Sequence, residues 1–208
     1  MERRVYDDIE IRSLEDGRKV ITGYAIVFNK ESRDLGGFTE VINPEAMEGA
    51  NVSDVVALFN HDPNIVLGRT EKTLKLLIDD NGVRYEIEPP NTSQANDLME
   101  SIARGDIRGS SFGFTIRSNG DKWTKPQTEN GLWKRDVTGF DKIYDVSPVV
   151  FPAYEATDTS LAKRSLGMEK DKIEREFEKA QQDKAVEEAR KSLKFKRLKL
   201  DLLKYKEE

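Results

Sequence analysis

The chain contains a single histidine, His61, in the stretch VALFNHDPN at residues 56–64. An imidazole titrates at about pH 6.5, so it can take up and return a proton at neutral pH. A lone histidine at the end of an apolar strand is a candidate general base, and equally a side chain that satisfies one hydrogen bond at a strand end. Asp62 is a poor partner for it. Adjacent residues of extended chain point to opposite sides, and an aspartate before Pro63 is an ordinary turn starter.

Two further stretches carry groups that could do chemistry. RGDIRGSSFGF places Ser110 and Ser111 between glycines and aromatics. With a period of two, Ser110, Phe112 and Phe114 share one face of a strand, and Ser111, Gly113 and Thr115 share the other. Ser111 then stands opposite the Phe pair, with small neighbours that leave room for a substrate backbone. The plainer reading is a glycine-containing strand that bends at a barrel corner. In IYDVSPVVFPAY, Asp145 is an acid inside an otherwise apolar strand. Burying an unpaired carboxylate is costly, so Asp145 calls either for a counter-ion such as an arginine or for a chemical purpose.

The elements that must position these groups are mostly strands. VYDDIEIRSL, RKVITGYAIVF, TLKLLID, GVRYEIEP, SSFGFTIR and YDVSPVVF alternate with the period of two expected of strands. Asp16-Gly17 and Asn81-Gly82 mark hairpins. One helix is expected from Thr92 to Arg104, with Leu98, Ile102 and Ala103 as its apolar face, Thr92 or Ser93 as its cap and Gly105 as its stop. A short helical turn begins at Pro44. The fold class is α+β, dominated by a mainly antiparallel sheet or barrel.

After VVFPAYEATDTSLAKRS the composition changes: the remainder is nearly free of Gly and Pro. Ile173, Phe177, Ala180, Val186, Ala189, Leu193, Leu198, Leu202 and Tyr205 recur at mostly helical spacing, which predicts one or two amphipathic helices. Acidic residues dominate the first half and lysines the second. So narrow a stripe has little reason to fold alone, so pairing with itself, a second copy or another protein is expected.

Composition excludes several classes. There is no cysteine among the 208 residues, which removes disulfides, thiolate metal sites and a cysteine nucleophile. With one histidine as well, neither a zinc site nor any other cofactor is expected. The 34 basic and 39 acidic residues leave a formal charge of -5, ordinary for a soluble protein, and direct nucleic-acid binding is not expected. The first residues lack a signal-peptide core and no run approaches the length of a membrane span, which leads to the expectation of an intracellular soluble protein.

Taken together and in order, GYAIVFN, DLGGFTEVINPEAM, FNHDP, LGRT, TLKL, RGDI, SSFGF and DVSPVVFPAY resemble the prohead maturation proteases of tailed phages, serine peptidases related to herpesvirus assemblins. The resemblance covers residues 4–159. It implies a small β-barrel flanked by helices, and an enzyme that cuts scaffold and capsid-protein segments inside the procapsid, in the host cytoplasm, before DNA is packaged. Carried over position by position, it places the base on His61, the nucleophile on Ser111 and the acid on Asp145, where many relatives have Glu. Two loops depart from the family pattern, at Glu71-Lys72-Thr73-Leu74 and at Glu45-Ala46-Met47.

On this reading residues 1–160 form a serine protease domain and 161–208 a hinge and helical tail. Backbone amides near the active strands, or Arg69 or Arg108 acting directly or through water, are candidate donors to the oxyanion. The major capsid protein and its scaffold segment are the expected partners, together with self-association. The tail suits docking on helical scaffold segments, and the polar hinge YEATDTSLAKRSLGMEK at residues 154–170 suits self-cleavage. The alternative is a catalytically silent scaffold or assembly chaperone that works through its tail.

Overall fold

The computed structural model describes residues 1–7, 9–128, 131–151 and 160–204. Among them the strands are β1 (Glu2–Asp7), β2 (Ile9–Ser13), β3 (Lys19–Val27), β4 (Phe38–Ile42), β5 (Val56–Phe59), β6 (Asp62–Arg69), β7 (Leu74–Ile78), β8 (Gly82–Ile87), β9 (Gly109–Ile116), β10 (Asp121–Thr124), β11 (Trp133–Val137) and β12 (Phe140–Val149). The α-helices are α1 (Ser93–Ala103) and α2 (Ser160–Lys204), and Pro44–Met47 is a 3-10 helix. The chain divides into two compact units, Met1–Ala162 and Lys163–Glu208.

The mixed, strand-dominated class is as expected, but the ladders form three open sheets and do not close into a barrel. The orders are β1-β9-β12-β5-β6, β2-β3-β8-β7 and β10-β11-β4. Pairing is antiparallel except between β12 and β5 and between β11 and β4. The stretch expected as one first strand is two: β1 lies on β9, and after residue 8 the chain re-pairs with β3 as β2. Both expected hairpins form, β2–β3 around Asp16-Gly17 and β7–β8 around Asn81-Gly82. Helix α1 is capped by the Thr92 hydroxyl, which accepts from the Ala95 N–H at 3.3 Å, and Gly105 with φ +81° follows its end. The apolar core draws on all three sheets and on Ala95, Leu98 and Ile102 of α1.

Strands β4 and β11 do not read as strands in the sequence, because Glu40 and Arg135 put charge at buried positions, and the four-residue β10 has no buried position at all. Glu2, Arg4, Glu40 and Arg135 are all at least 95% buried. Arg4 donates to both oxygens of Glu40 at 2.6 and 2.7 Å and to Glu2 at 2.8 Å. Arg135 donates to Glu2 at 2.6 and 3.0 Å, to Glu40 at 3.0 Å and to Asp121 at 2.8 Å. Strand register makes the pairs possible, since Arg135 lies opposite Glu40 on β4 and opposite Trp123 on β10, whose ring sits 5.4 Å from its guanidinium. The network ties β1 to the three-stranded sheet.

Helix α2, the body of the second unit, is one continuous helix, consistent with a stretch almost without Gly and Pro. Met168, Phe177, Val186 and Leu193 are each more than 60% exposed along it. Lys191 pairs with Glu187 at 2.8 Å one turn away.

Burial alone would raise the Glu40 carboxyl, but the charge and hydrogen bonds of Arg4, and then those of Arg135, outweigh it and hold it below the usual glutamate range. A carboxyl so depressed stabilises the fold fully above its unfolded pKa, and that stabilisation disappears as pH falls through the folded value. Glu40→Gln should therefore cost about 3–5 kcal/mol at pH 7. The gap from the unsubstituted chain should narrow as pH drops below about 4.3. Urea unfolding at a series of pH values measures both.

Candidate active site

Strand β9 is the floor of the site. Phe112 and Phe114 are fully buried, stack on each other at 4.7 Å and meet Phe140 edge-on at 5.9 and 5.0 Å. These rings anchor one face of β9 in the core, so Ser111 and Gly113 must face the other way. Ser110 falls on the Phe face, and its Oγ has no hydrogen-bond partner among the described residues.

His61 is not in a strand. Phe59 pairs with Asp62, which leaves Asn60 and His61 as a two-residue hairpin turn between β5 and β6. Both have positive φ, +52° and +58°. Such turns match the twist of the flanking strands, and Asn, Asp and His are the side chains that tolerate this backbone region best. Asn60 fastens the turn to the end of β12: its N–H donates to the Pro148 carbonyl at 2.9 Å, and its Oδ1 accepts from the Val150 N–H at 3.0 Å. Asp62 turns away and accepts from the backbone and side-chain nitrogens of Asn64 at 2.9 and 2.8 Å.

Asp145 reaches the site through an irregularity in β12. Ile143 lies opposite Phe114 and Asp145 opposite Gly113, so Tyr144 is an extra residue in the ladder. Strict alternation would put Ile143 and Asp145 on one face. The bulge lets Ile143 enter the core while Asp145 joins Ser111. Gly113 completes the seat: a Cβ there would stand inside van der Waals distance of Asp145 Oδ2 and 3.0 Å from Met1 Sδ. The space beside Ser111, expected to admit a substrate backbone, holds the carboxylate instead.

The three residues singled out in the sequence converge. Asp145 Oδ1 accepts a hydrogen bond from His61 Nδ1, and Ser111 Oγ lies 2.6 Å from His61 Nε2. With its Nδ1 proton directed at the carboxylate, the imidazole presents the Nε2 lone pair to the serine hydroxyl. Such an arrangement can withdraw the hydroxyl proton as the oxygen attacks an acyl carbon. The set is screened from solvent, with Ser111 fully buried and the His61 and Asp145 side chains 8% and 6% exposed. Of the two arginines considered as oxyanion donors, Arg69 is held by Asp54 at 2.7 Å, and Arg108 is exposed three residues before Ser111.

Sequence reasoning missed Ser147, whose Oγ donates to Asp145 Oδ1 at 3.0 Å, and the role of Asn60. Period two from Asp145 would have found Ser147. Nothing in the sequence pointed to the Asn60 contacts, which join residues 88 and 90 positions apart.

A protein-family model described as caudovirus prohead serine protease matches residues 7–172. No curated protein and no solved structure matches the chain.

The glycine seat gives a direct test. Gly113→Ala should push the Asp145 carboxylate away from His61 and loosen the ring. Because His61 is the chain's only histidine, carbethoxylation followed by absorbance reads that ring alone. The variant should react several-fold faster than the unsubstituted chain while its circular dichroism is unchanged.

Proposed function

The chain belongs to the caudovirus prohead serine protease family, and from that premise we propose that it is a serine endopeptidase of capsid maturation working through Ser111, His61 and Asp145. The observation that carries this reading is the imidazole of the only histidine held between a serine hydroxyl and a buried carboxylate. As Ser111 Oγ bonds to the scissile carbonyl carbon, its proton passes to His61 Nε2. The tetrahedral intermediate collapses when the amine leaves with that proton. Water then attacks the acyl-serine, giving a proton to Nε2, and the second tetrahedral intermediate collapses as that proton passes to Ser111 Oγ and the carboxylic acid is released. Asp145 keeps the Nδ1 proton in place and offsets the imidazolium charge at each stage. The exposed Arg108 is the donor we assign to the oxyanion, by way of a bound water or directly.

The substrates in this reading are the scaffold and capsid-protein segments inside the procapsid, and the chain itself. The hinge proposed for self-cleavage, residues 154–170, lies outside the described residues up to 159, and from Ser160 it is helical. A folded helix resists an active site that needs extended chain, so cleavage between Ser160 and Lys170 would require that part of α2 to unwind. Residues 161–208 act as an address, with the exposed Phe177, Val186 and Leu193 of α2 laid against helical scaffold segments or a second copy.

Ser111→Ala and His61→Ala should each lower cleavage of co-expressed capsid protein by about 10⁴-fold or more, as for residues that act as a unit. Ser110→Ala, facing the Phe cluster, should leave a substantial fraction. Deleting the chain from Met168 onward should leave hydrolysis of an exposed peptide intact but reduce the amount co-sedimenting with assembled shells. Wild-type cleavage in the Ser111 variant would remove the enzyme reading, and full incorporation of the truncated chain would remove the address.

A further inference from the structure

We propose that Ser147 is a positioning residue that fixes the Asp145 carboxylate, and through it the His61 ring; the inference rests on the assignment of Ser111, His61 and Asp145 as the reacting set. Ser147 lies directly opposite Ser111 in the β12–β9 ladder and is fully buried. Its hydroxyl donates to Asp145 Oδ1 at 3.0 Å, the same oxygen that holds His61 Nδ1, and it stands 3.4 Å from Nδ1 itself.

The terminal torsion of an aspartate is broad and roughly two-fold, so one hydrogen bond from a movable ring does not fix the carboxylate plane. A second donor on a rigid strand does. Gly113 supplies the space in which Oδ2 sits, since a Cβ there would meet it, and a side chain absent from that position holds nothing in place. A buried carboxylate also requires more than one donor to offset its lost hydration. Ser147 is not an alternative nucleophile, because it sits on the Nδ1 side of the ring and Ser111 holds Nε2. The hydroxyl also restrains the tautomer: with Oδ1 fixed in the ring plane, the proton stays on Nδ1 and Nε2 remains free to accept.

The test uses the full chain labelled with ¹⁵N-histidine, in which the only imidazole gives one pair of ring-nitrogen signals. Ser147→Ala should lower kcat for a peptide substrate about 10- to 100-fold, the loss expected for a hydrogen bond to a charged group, with KM unchanged. The downfield Nδ1–H signal should broaden or give way to a mixture of tautomers. The same spectral change is expected in a Ser111→Ala background, which reports on positioning even if Ser111 proves not to be the nucleophile. Cleavage surviving in Ser111→Ala alone would instead discard the catalytic assignment and leave the spectral comparison standing. Unaltered kcat together with an unaltered imidazole spectrum in Ser147→Ala would overturn the proposal. Should that variant fail to fold, the hydroxyl proton of Ser147 in the unsubstituted chain decides: slow exchange and a cross-peak to His61 Nδ1–H support the assignment, and exchange as fast as that of an exposed serine contradicts it.

Discussion

Side chains directly opposite one another on neighbouring strands stand about 5 Å apart, so the register of β12 on β9 decides what can meet above this sheet. With Asp145 opposite Gly113 and Ser147 opposite Ser111, an acid, two hydroxyls and a gap are set on one face within hydrogen-bond reach. A slip of one residue would turn Val146 and Pro148 toward Ser111 and bury Asp145 among phenylalanines. The extra residue Tyr144 is what allows one strand to serve both the core with Ile143 and the site with Asp145. The remaining partner comes from outside the ladder: the parallel pairing of β12 with β5 carries the β5–β6 turn alongside, and the Asn60 contacts stop it where His61 overhangs Ser111.

That register is held from the other side of β9. The Phe112–Phe114–Phe140 cluster fixes the strand's facing. Strand β1 closes its outer edge, with Arg4 opposite Phe112 and its guanidinium 5.4 Å from the Phe114 ring. Arg4 in turn belongs to the buried ionic network of Glu2, Glu40, Arg135 and Asp121, so the charges that join the three-stranded sheet to β1 also support the floor of the site. A buried ion pair adds little over apolar packing, but losing one member leaves an uncompensated charge. The network therefore acts mainly as a constraint on which strands can meet.

The chemistry was legible in the sequence as residue types, and its geometry was not. A lone histidine, a serine opposite two phenylalanines and an acid in an apolar strand are visible from composition and period. Their meeting depends on contacts between residues 50 and 84 positions apart, which no local pattern encodes. Alternation misled at β12, where Tyr144 breaks it, and at Gly113, where the missing side chain accommodates the carboxylate instead of a substrate. His61 was read at a strand end when it occupies a turn, because Asn-His is a less familiar turn pair than the Asn-Gly and Asp-Gly that marked the other hairpins. Strands β4 and β11 were hidden by Glu40 and Arg135 at buried positions, and β10 by its four-residue length. The long helix was plain, since a stretch almost without Gly and Pro has little else to form.

The central claim is that Ser111 is nucleophilic because His61 and Asp145 make it so. Treating the full chain with a fluorophosphonate and locating the adduct by peptide mass spectrometry tests it most directly. Trypsin, cutting after Arg108 and Arg117, isolates both serines of β9 in one peptide whose fragments distinguish them. The expected result is a single adduct on Ser111 that disappears in His61→Ala and falls sharply in Asp145→Ala. An adduct on Ser110, or equal labelling of Ser111 when His61 is replaced, would contradict it.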